Sequence, residues 1–179
     1  MCRNYIHGVR FGGNTHEFLE YLGKIRGIRK SATFRCFIYQ ASVGKIGKCV
    51  IEDAVNALAE TLKDADGMVI GSPVYFASPN GSLISLLDRL YAAHGKRLMY
   101  KPCGCIVSAR RAGTTAALEA LHKYPMVNEQ PLVSSCYWCM VHGNTPKEVR
   151  QDTEGMAIAY NLGKNMAWMV GALASAKHP

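Results

Sequence analysis

The stretch Asp64-Ala-Asp-Gly-Met-Val-Ile-Gly-Ser-Pro-Val-Tyr-Phe-Ala-Ser-Pro-Asn-Gly-Ser-Leu-Ile-Ser-Leu-Leu-Asp-Arg89 decides the fold, because it reads as strand, irregular loop and amphipathic helix in immediate succession. Met68 to Ile70 is an apolar run released by Gly67 and stopped by Gly71-Ser72-Pro73, the pattern of a strand covered by helices on both faces. Adjacent aromatics, Tyr75 and Phe76, come next. The polar loop Ser78-Pro79-Asn80-Gly81-Ser82 can begin a helix. Leu83, Leu86, Leu87 and Leu90 recur at helical spacing, so one helix face packs on the sheet and the loop is held at the carboxyl end of the strand. In open α/β sheets that end is where ligands bind.

Working outward, the same alternation repeats. Upstream, Cys2 to His7 reads as a first strand, Gly8 to Thr15 as a glycine-rich loop, and Phe18, Leu19 and Leu22 as a brief helix ending near Gly27. Thr33 to Gln40 reads as a second strand, rich in residues that favour extended structure. A helix follows with Asp53 as N-cap and a core face of Val55, Leu58 and Leu62. Downstream, Cys103 to Ser108 is a buried strand whose polar loop, Ser108 to Thr115, opens a helix carrying Leu118 and Leu121 and closed by Pro125. Pro131 to Trp138 supplies a fifth strand. A last helix buries Met156, Ala159, Leu162, Met166, Met169 and Leu173. The expectation is a single domain over residues 1–179: an α/β, doubly wound, five-stranded parallel sheet in the order 2-1-3-4-5.

Composition narrows the partners. The 179 residues are 49% hydrophobic, enough for one well-buried domain. No apolar run reaches the length of a membrane span, and the first residues lack a signal-peptide pattern, so the expectation is a cytoplasmic protein without a membrane partner. Seven cysteines point to reduced thiols rather than a disulfide framework. A net charge of +8 favours anionic partners, phosphate-bearing cofactors first. The basic residues are scattered and form no nucleic-acid-reading module, so no nucleic-acid partner is expected.

Three loops, 8–15, 71–82 and 108–115, should leave the carboxyl ends of the first, third and fourth strands and meet at the crevice where strand order reverses. In the first, Arg10, Asn14 and Thr15 can surround a phosphate at a helix N-terminus; an ordinary strand-to-helix turn reads equally well. In the second, Tyr75 and Phe76 offer flat apolar surface beside Ser72, Ser78 and Asn80, a mix suited to an aromatic ring with polar edges; alternatively the aromatics pad the gap between sheet and helix. In the third, Arg110 and Arg111 beside Gly113 can hold negative charge, or form a solvated surface pair. His142 ends the fifth strand near the same crevice, as a ligand contact or a structural loop residue. Cys103-x-Cys105 and Cys136-x-x-Cys139 have half-site spacing for a metal, but the first pair alternates along a buried strand and nothing makes the pairs converge, so no metal is expected. No nucleophile elbow or Walker loop is present.

Gly47-Lys-Cys-Val-Ile-Glu-Asp53, Ala65 to Ser78 with its Gly-Ser-Pro-Val-Tyr-Phe centre, Leu86-Leu-Asp-Arg89, Gly13-Asn-Thr15, Arg110-Arg-x-Gly113 and Met140-Val-His-Gly-Asn144 resemble the NAD(P)H-dependent FMN reductase and multimeric flavodoxin family, including its iron–sulfur branch. The resemblance runs over about residues 47 to 170. It implies a flavodoxin-like fold, FMN as cofactor, NAD(P)H as electron donor, a flavin, quinone or other small molecule as acceptor, and a homodimer or homotetramer. By position, Arg10, Asn14 and Thr15 would meet the FMN phosphate; Pro73, Val74, Tyr75, Phe76 and Ser78 would line the ring system; and Ser108 with Arg110, Arg111 and Gly113 would meet its polar edge. Arginines at that edge would favour an anionic reduced flavin. Two departures stand out. Gln40 and Val43 occupy the stretch where iron–sulfur members carry their middle cluster ligands, leaving only Cys36 and Cys49, so no cluster is expected. Gly8 and Val9 replace a serine and a proline of the phosphate loop, a loss of about 1.5–3 kcal/mol for one hydrogen bond to a charged group. The same resemblance leaves two other roles open: an FMN-binding electron carrier, or a flavin-free subunit that keeps only the fold.

Overall fold

The computed structural model describes Ile6–Val9, Ser31–Ala32, residues 47–49 and residues 51–176. In chain order these form β1 (Ile6–Val9), β2 (Ser31–Ala32), α1 (Ala54–Lys63), β3 (Gly67–Tyr75), β4 (Ser78–Pro79), α2 (Gly81–His94), a 3-10 turn (Gly95–Arg97), β5 (Cys103–Ala109), α3 (Thr114–Val127), β6 (Met140–His142), α4 (Pro146–Gln151) and α5 (Thr153–Leu173).

The sheet runs β2-β1-β3-β5-β6, all parallel, and β4 folds back antiparallel on the end of β3. Side chains alternate across it, as the pleat requires. Met68 and Ile70 of β3, with Cys103, Cys105 and Val107 of β5, pack in one cluster with Val55, Leu58 and Leu62 of α1, Leu83, Leu86, Leu87 and Leu90 of α2, and Leu118 and Leu121 of α3. Val69, Ile106 and Val141 point the other way, onto Ile158, Ala159, Leu162 and Met166 of α5. Each buried leucine contributes about 1.5–3 kcal/mol, so two apolar faces fix the layer order. Gly104 lets α5 come close, since a Cβ there would lie 3.3 Å from both Leu162 δ-carbons.

Several expected boundaries move. The first strand, expected at Cys2–His7, is found at Ile6–Val9, so Gly8 and Val9 belong to the ladder rather than to a loop. The second strand, expected at Thr33–Gln40, is seen at Ser31–Ala32; residues 33–46 and the helix expected around Phe18 to Leu22 lie outside the described residues. β3 does not stop at Gly71 but continues through Pro73, which pairs opposite Ser108. Among the described residues the β1 ladder reaches Val69, so no described parallel neighbour on that flank calls for the N–H that Pro73 lacks. Pro125 sits inside α3 rather than after it; so near the helix end its missing N–H removes a single helical bond.

The fifth strand is the clearest correction. Residues 131–138 pair with the described strands only through a bridge from Leu132 to Cys103, and the strand proper is Met140–His142. Ser134 and Ser135 bind helix α5 instead of a ladder: Asn165 Nδ2 donates to the Ser134 carbonyl and Ser135 Oγ to the Ile158 carbonyl. Where five strands are expected, the described residues contain six, one of them antiparallel. No described helix is long and apolar enough to cross a membrane.

Candidate functional site

The register sets one row of residues across the carboxyl edge of the sheet: Pro73 of β3 lies opposite Ser108 of β5, which lies opposite Val141 of β6. One residue further, Ala109 faces His142. Among the described residues β1 pairs with β3 as far as Gly8 opposite Val69, four residues before Pro73. Arg10, Asn14 and Thr15 lie outside the described residues.

Beyond Pro73 the chain forms a hairpin rather than an open loop. Val74 pairs with Pro79 and Tyr75 with Ser78, leaving Phe76 and Ala77 as the two turn residues. Both are left-handed, with φ of 52° and 60°, as the two-residue turn that matches strand twist requires. This conformation is costly for residues other than glycine or asparagine, so the hairpin is held from below. Ser72 is the strut: its buried Oγ donates to the Pro73 carbonyl at 2.8 Å and accepts from Asn80 N–H at 2.8 Å. Asn80 then caps α2, its side chain accepting from Leu83 N–H. Ser72 was expected to offer its hydroxyl to a ligand; that hydroxyl is spent inside the hairpin.

Phe76 at the tip is fully exposed and Tyr75 is 52% exposed. Padding between sheet and helix is therefore not their role. Pro73 and Val74 are half-buried, and Ser78 is exposed.

The loop after β5 meets this hairpin. Ser108 is buried, Arg110 and Arg111 are exposed, and Gly113 caps α3 at φ 88°. A Cβ on Gly113 would lie 2.8 Å from Ala77 Cα, a separation real side chains do not tolerate, so the loop and the hairpin tip touch through the one residue that permits it. Neither Arg110 nor Arg111 has an ion-pair or hydrogen-bond partner among the described residues. Two guanidinium groups without a partner among the described residues thus belong to the loop that touches an exposed aromatic tip at the carboxyl edge of the sheet.

His142 flanks the same edge, half-buried. Its backbone N–H donates to Asp152 Oδ2 at 2.7 Å, and its Nδ1 lies 3.8 Å from that oxygen. Asp152 caps α5 through its other oxygen, which accepts from Gly155 N–H. Sequence reasoning missed Asp152, although an aspartate directly before Thr153-Glu154 is an N-cap signal. Ala77 left no such signal.

A second polar constellation joins α1 and α2. Arg89 is 3% exposed and grips Asp53 with both guanidinium nitrogens, at 3.2 and 2.6 Å, while one of them also donates to Cys49 Sγ at 3.1 Å. Asp53 caps α1 by accepting from Val55 N–H. Asn56 exchanges two 2.9 Å hydrogen bonds with the Cys49 backbone, and its Oδ1 also receives His94 Nε2 at 2.9 Å. His94 Nδ1 is buried without a partner among the described residues, and burial holds the ring's pKa below its ordinary 6.5. This cluster fastens the segment before α1 to α2. Cys103 and Cys105 are buried in β5, where desolvation pushes the Cys105 thiol up. No group of three metal-ligating side chains occurs among the described residues.

Fold and site together define a flavodoxin-like α/β protein, matched at TM-score 0.70 by the WrbA-like flavodoxin of Agrobacterium tumefaciens, 16% identical, over 94% of this chain and 98% of that one. FerB of Paracoccus denitrificans, a flavoenzyme NAD(P)H:(acceptor) oxidoreductase, superposes at TM-score 0.68 with 13% identity over 93% of this chain and 98% of FerB. The chain belongs to the NADPH-dependent FMN reductase family, whose model matches residues 10–145. An iron–sulfur flavoprotein of Methanocaldococcus jannaschii is 30% identical over 132 residues, 69% of this chain and 68% of the relative. The protein is a flavin-associated oxidoreductase of the FMN class.

Proposed function

We propose that the protein is an FMN-dependent NAD(P)H oxidoreductase that passes electrons to a flavin, quinone or other small acceptor, with its ring site between the hairpin of residues 73–78 and the loop of residues 108–113. One observation carries this reading: the Ala77–Gly113 contact joins an exposed aromatic tip to two guanidinium groups that have no partner among the described residues. The residues fit a planar, polar-edged, anionic ligand, since aromatic surface, cations and half-buried Pro73 and Val74 meet on one edge. When bound, FMN supplies the electron-transfer chemistry, and the chain supplies position and charge.

In this reading Tyr75 and Phe76 present ring faces that stack and exclude water, and Ser78 hydrogen-bonds from the hairpin. Arg110 and Arg111 hold negative charge at the polar edge, with electrostatic strength that grows as the loop is covered. Ser72 keeps the hairpin upright rather than touching the ligand. Ser108 and His142 border the site from β5 and β6, and Asp152 fixes the His142 backbone. Arg10, Asn14 and Thr15 would hold the phosphate. Cys49 is assigned to the core instead of an iron–sulfur cluster, because its sulfur accepts from Arg89. A homodimer or homotetramer is part of the proposal, and the 70% exposed Trp168 on α5 offers apolar surface for it.

The test is anaerobic mixing of the FMN-loaded protein with NADPH and, separately, NADH. Rapid bleaching of the flavin band by either, followed by return of colour on adding a quinone, is the expected result. Colour that persists with both nucleotides would replace the reductase by an electron carrier.

A further inference from the structure

The loop that failed to become a strand carries a feature the flavin reading does not use. Cys136 is exposed and Cys139 is 5% exposed, three residues apart in the turn that leads into β6. The backbone bends sharply at Cys136 and Tyr137 and closes a tight turn over Cys139, where Met140 N–H donates to the Trp138 carbonyl at 2.8 Å. The two intervening aromatics point to solvent and pack on each other, with ring centroids 4.9 Å apart. Ser135 fixes the start of this turn: its Oγ lies 3.7 Å from Cys136 Sγ, and α5 anchors it through the Ile158 carbonyl and Asn161 Nδ2.

We propose that Cys136 and Cys139 are a dithiol site that exchanges with low-molecular-weight aliphatic disulfides, Cys136 attacking and Cys139 resolving. The Cys136 thiolate attacks one sulfur of the small disulfide, forming a mixed disulfide and releasing one thiolate. Cys139 then attacks Cys136 Sγ, closing the Cys136–Cys139 bond and releasing the second thiolate. The two thiol protons end on the two released thiols, and the small disulfide is reduced by the two electrons that the cysteines lose. Accessibility sets the order, because only Cys136 meets solvent. Burial pushes the Cys139 thiol up to about 12, which keeps it from reacting first. A bond spanning so short a loop adds little chain-entropy stabilisation, and a bond with one exposed sulfur is the labile kind, so the exchange is reversible.

The experiment uses the intact protein in buffers of oxidised and reduced glutathione, quenched by acid and digested with trypsin. Tyr124–Lys147 then carries both cysteines and no other. The expected product is this peptide lighter by two hydrogens, formed in the native protein at least as fast as in the urea-unfolded chain and reversed by excess reduced glutathione. Cys139→Ser should stop at a lasting glutathione adduct on Cys136, and Cys136→Ser should give neither product. A wild-type protein that holds only a lasting Cys136 adduct, or that closes the bond only when unfolded, would overturn the proposal.

Discussion

One polar region ties α1 to α2 and another lies at the carboxyl edge of the sheet, and each contains residues of the motifs that mark the family. In the first, Asp53, Asn56, Arg89 and His94 are packed and bonded to one another, and the Arg89 charge is 3% exposed. In the second, Arg110, Arg111, Tyr75 and Phe76 are exposed, and the two arginines have no ion-pair or hydrogen-bond partner among the described residues. Gly-Lys-Cys-Val-Ile-Glu-Asp and Leu-Leu-Asp-Arg are thus a fastening between α1 and α2. Gly-Ser-Pro-Val-Tyr-Phe and Arg-Arg-x-Gly build an open edge. The difference teaches that similar motif strength can mark either the interior that holds a site in place or the surface that meets a ligand, and burial with partner counting separates them.

The comparison can be broken from either side. Asp53→Ala removes the carboxylate that pairs with the buried Arg89 cation, and a helix cap, so unfolding free energy should fall by about 3–5 kcal/mol. Urea denaturation measures this, and a loss below about 1 kcal/mol would mean that the pair is not a fastening. On the open side, Arg110→Ala with Arg111→Ala should leave the urea midpoint unchanged while weakening FMN by about 1.5–3 kcal/mol, roughly tenfold or more, read by flavin fluorescence titration. Gly113→Ala should cost about 1–2 kcal/mol in stability, from the left-handed backbone alone, and lower FMN affinity too as Ala77 is pushed aside. Phe76→Ala should change stability by less than about 0.5 kcal/mol, with FMN weakened by about 0.5–1.5 kcal/mol.

The smallest effect is that of pH on the fastening. His94 has its pKa lowered in the folded chain by burial, so above about pH 6.5 both states hold it neutral and its contribution is complete. As pH falls below that value the unfolded chain takes up the proton first, and stability declines until the folded pKa is passed. Urea midpoints between about pH 7 and pH 5 should therefore fall, and His94→Gln should flatten the slope.

The core was legible in the sequence where periodicity was strong. Leu83, Leu86, Leu87 and Leu90 lie on the buried face of α2, Asp53 caps α1, and Cys103 and Cys105 are core thiols, as their spacing suggests. The hairpin was not legible, because Phe76-Ala77 lacks the glycine or asparagine that usually announces a left-handed turn. Leu132-Val133 looked like a strand because a short apolar run does not reveal whether its flanking serines will bind a helix or a ladder. The Asp53–Arg89 pair spans 36 positions and has no local signature. At the site, sequence placed the aromatics and arginines together through the expected topology, but the contact through Ala77 and the internal use of Ser72 needed coordinates.

The most direct measurement is titration of the purified wild-type protein with FMN, followed by quenching of flavin fluorescence and by the flavin absorbance retained after gel filtration. The account predicts saturable binding of one FMN per chain and a yellow protein. A colourless protein that fails to quench added FMN would contradict it, whatever its fold.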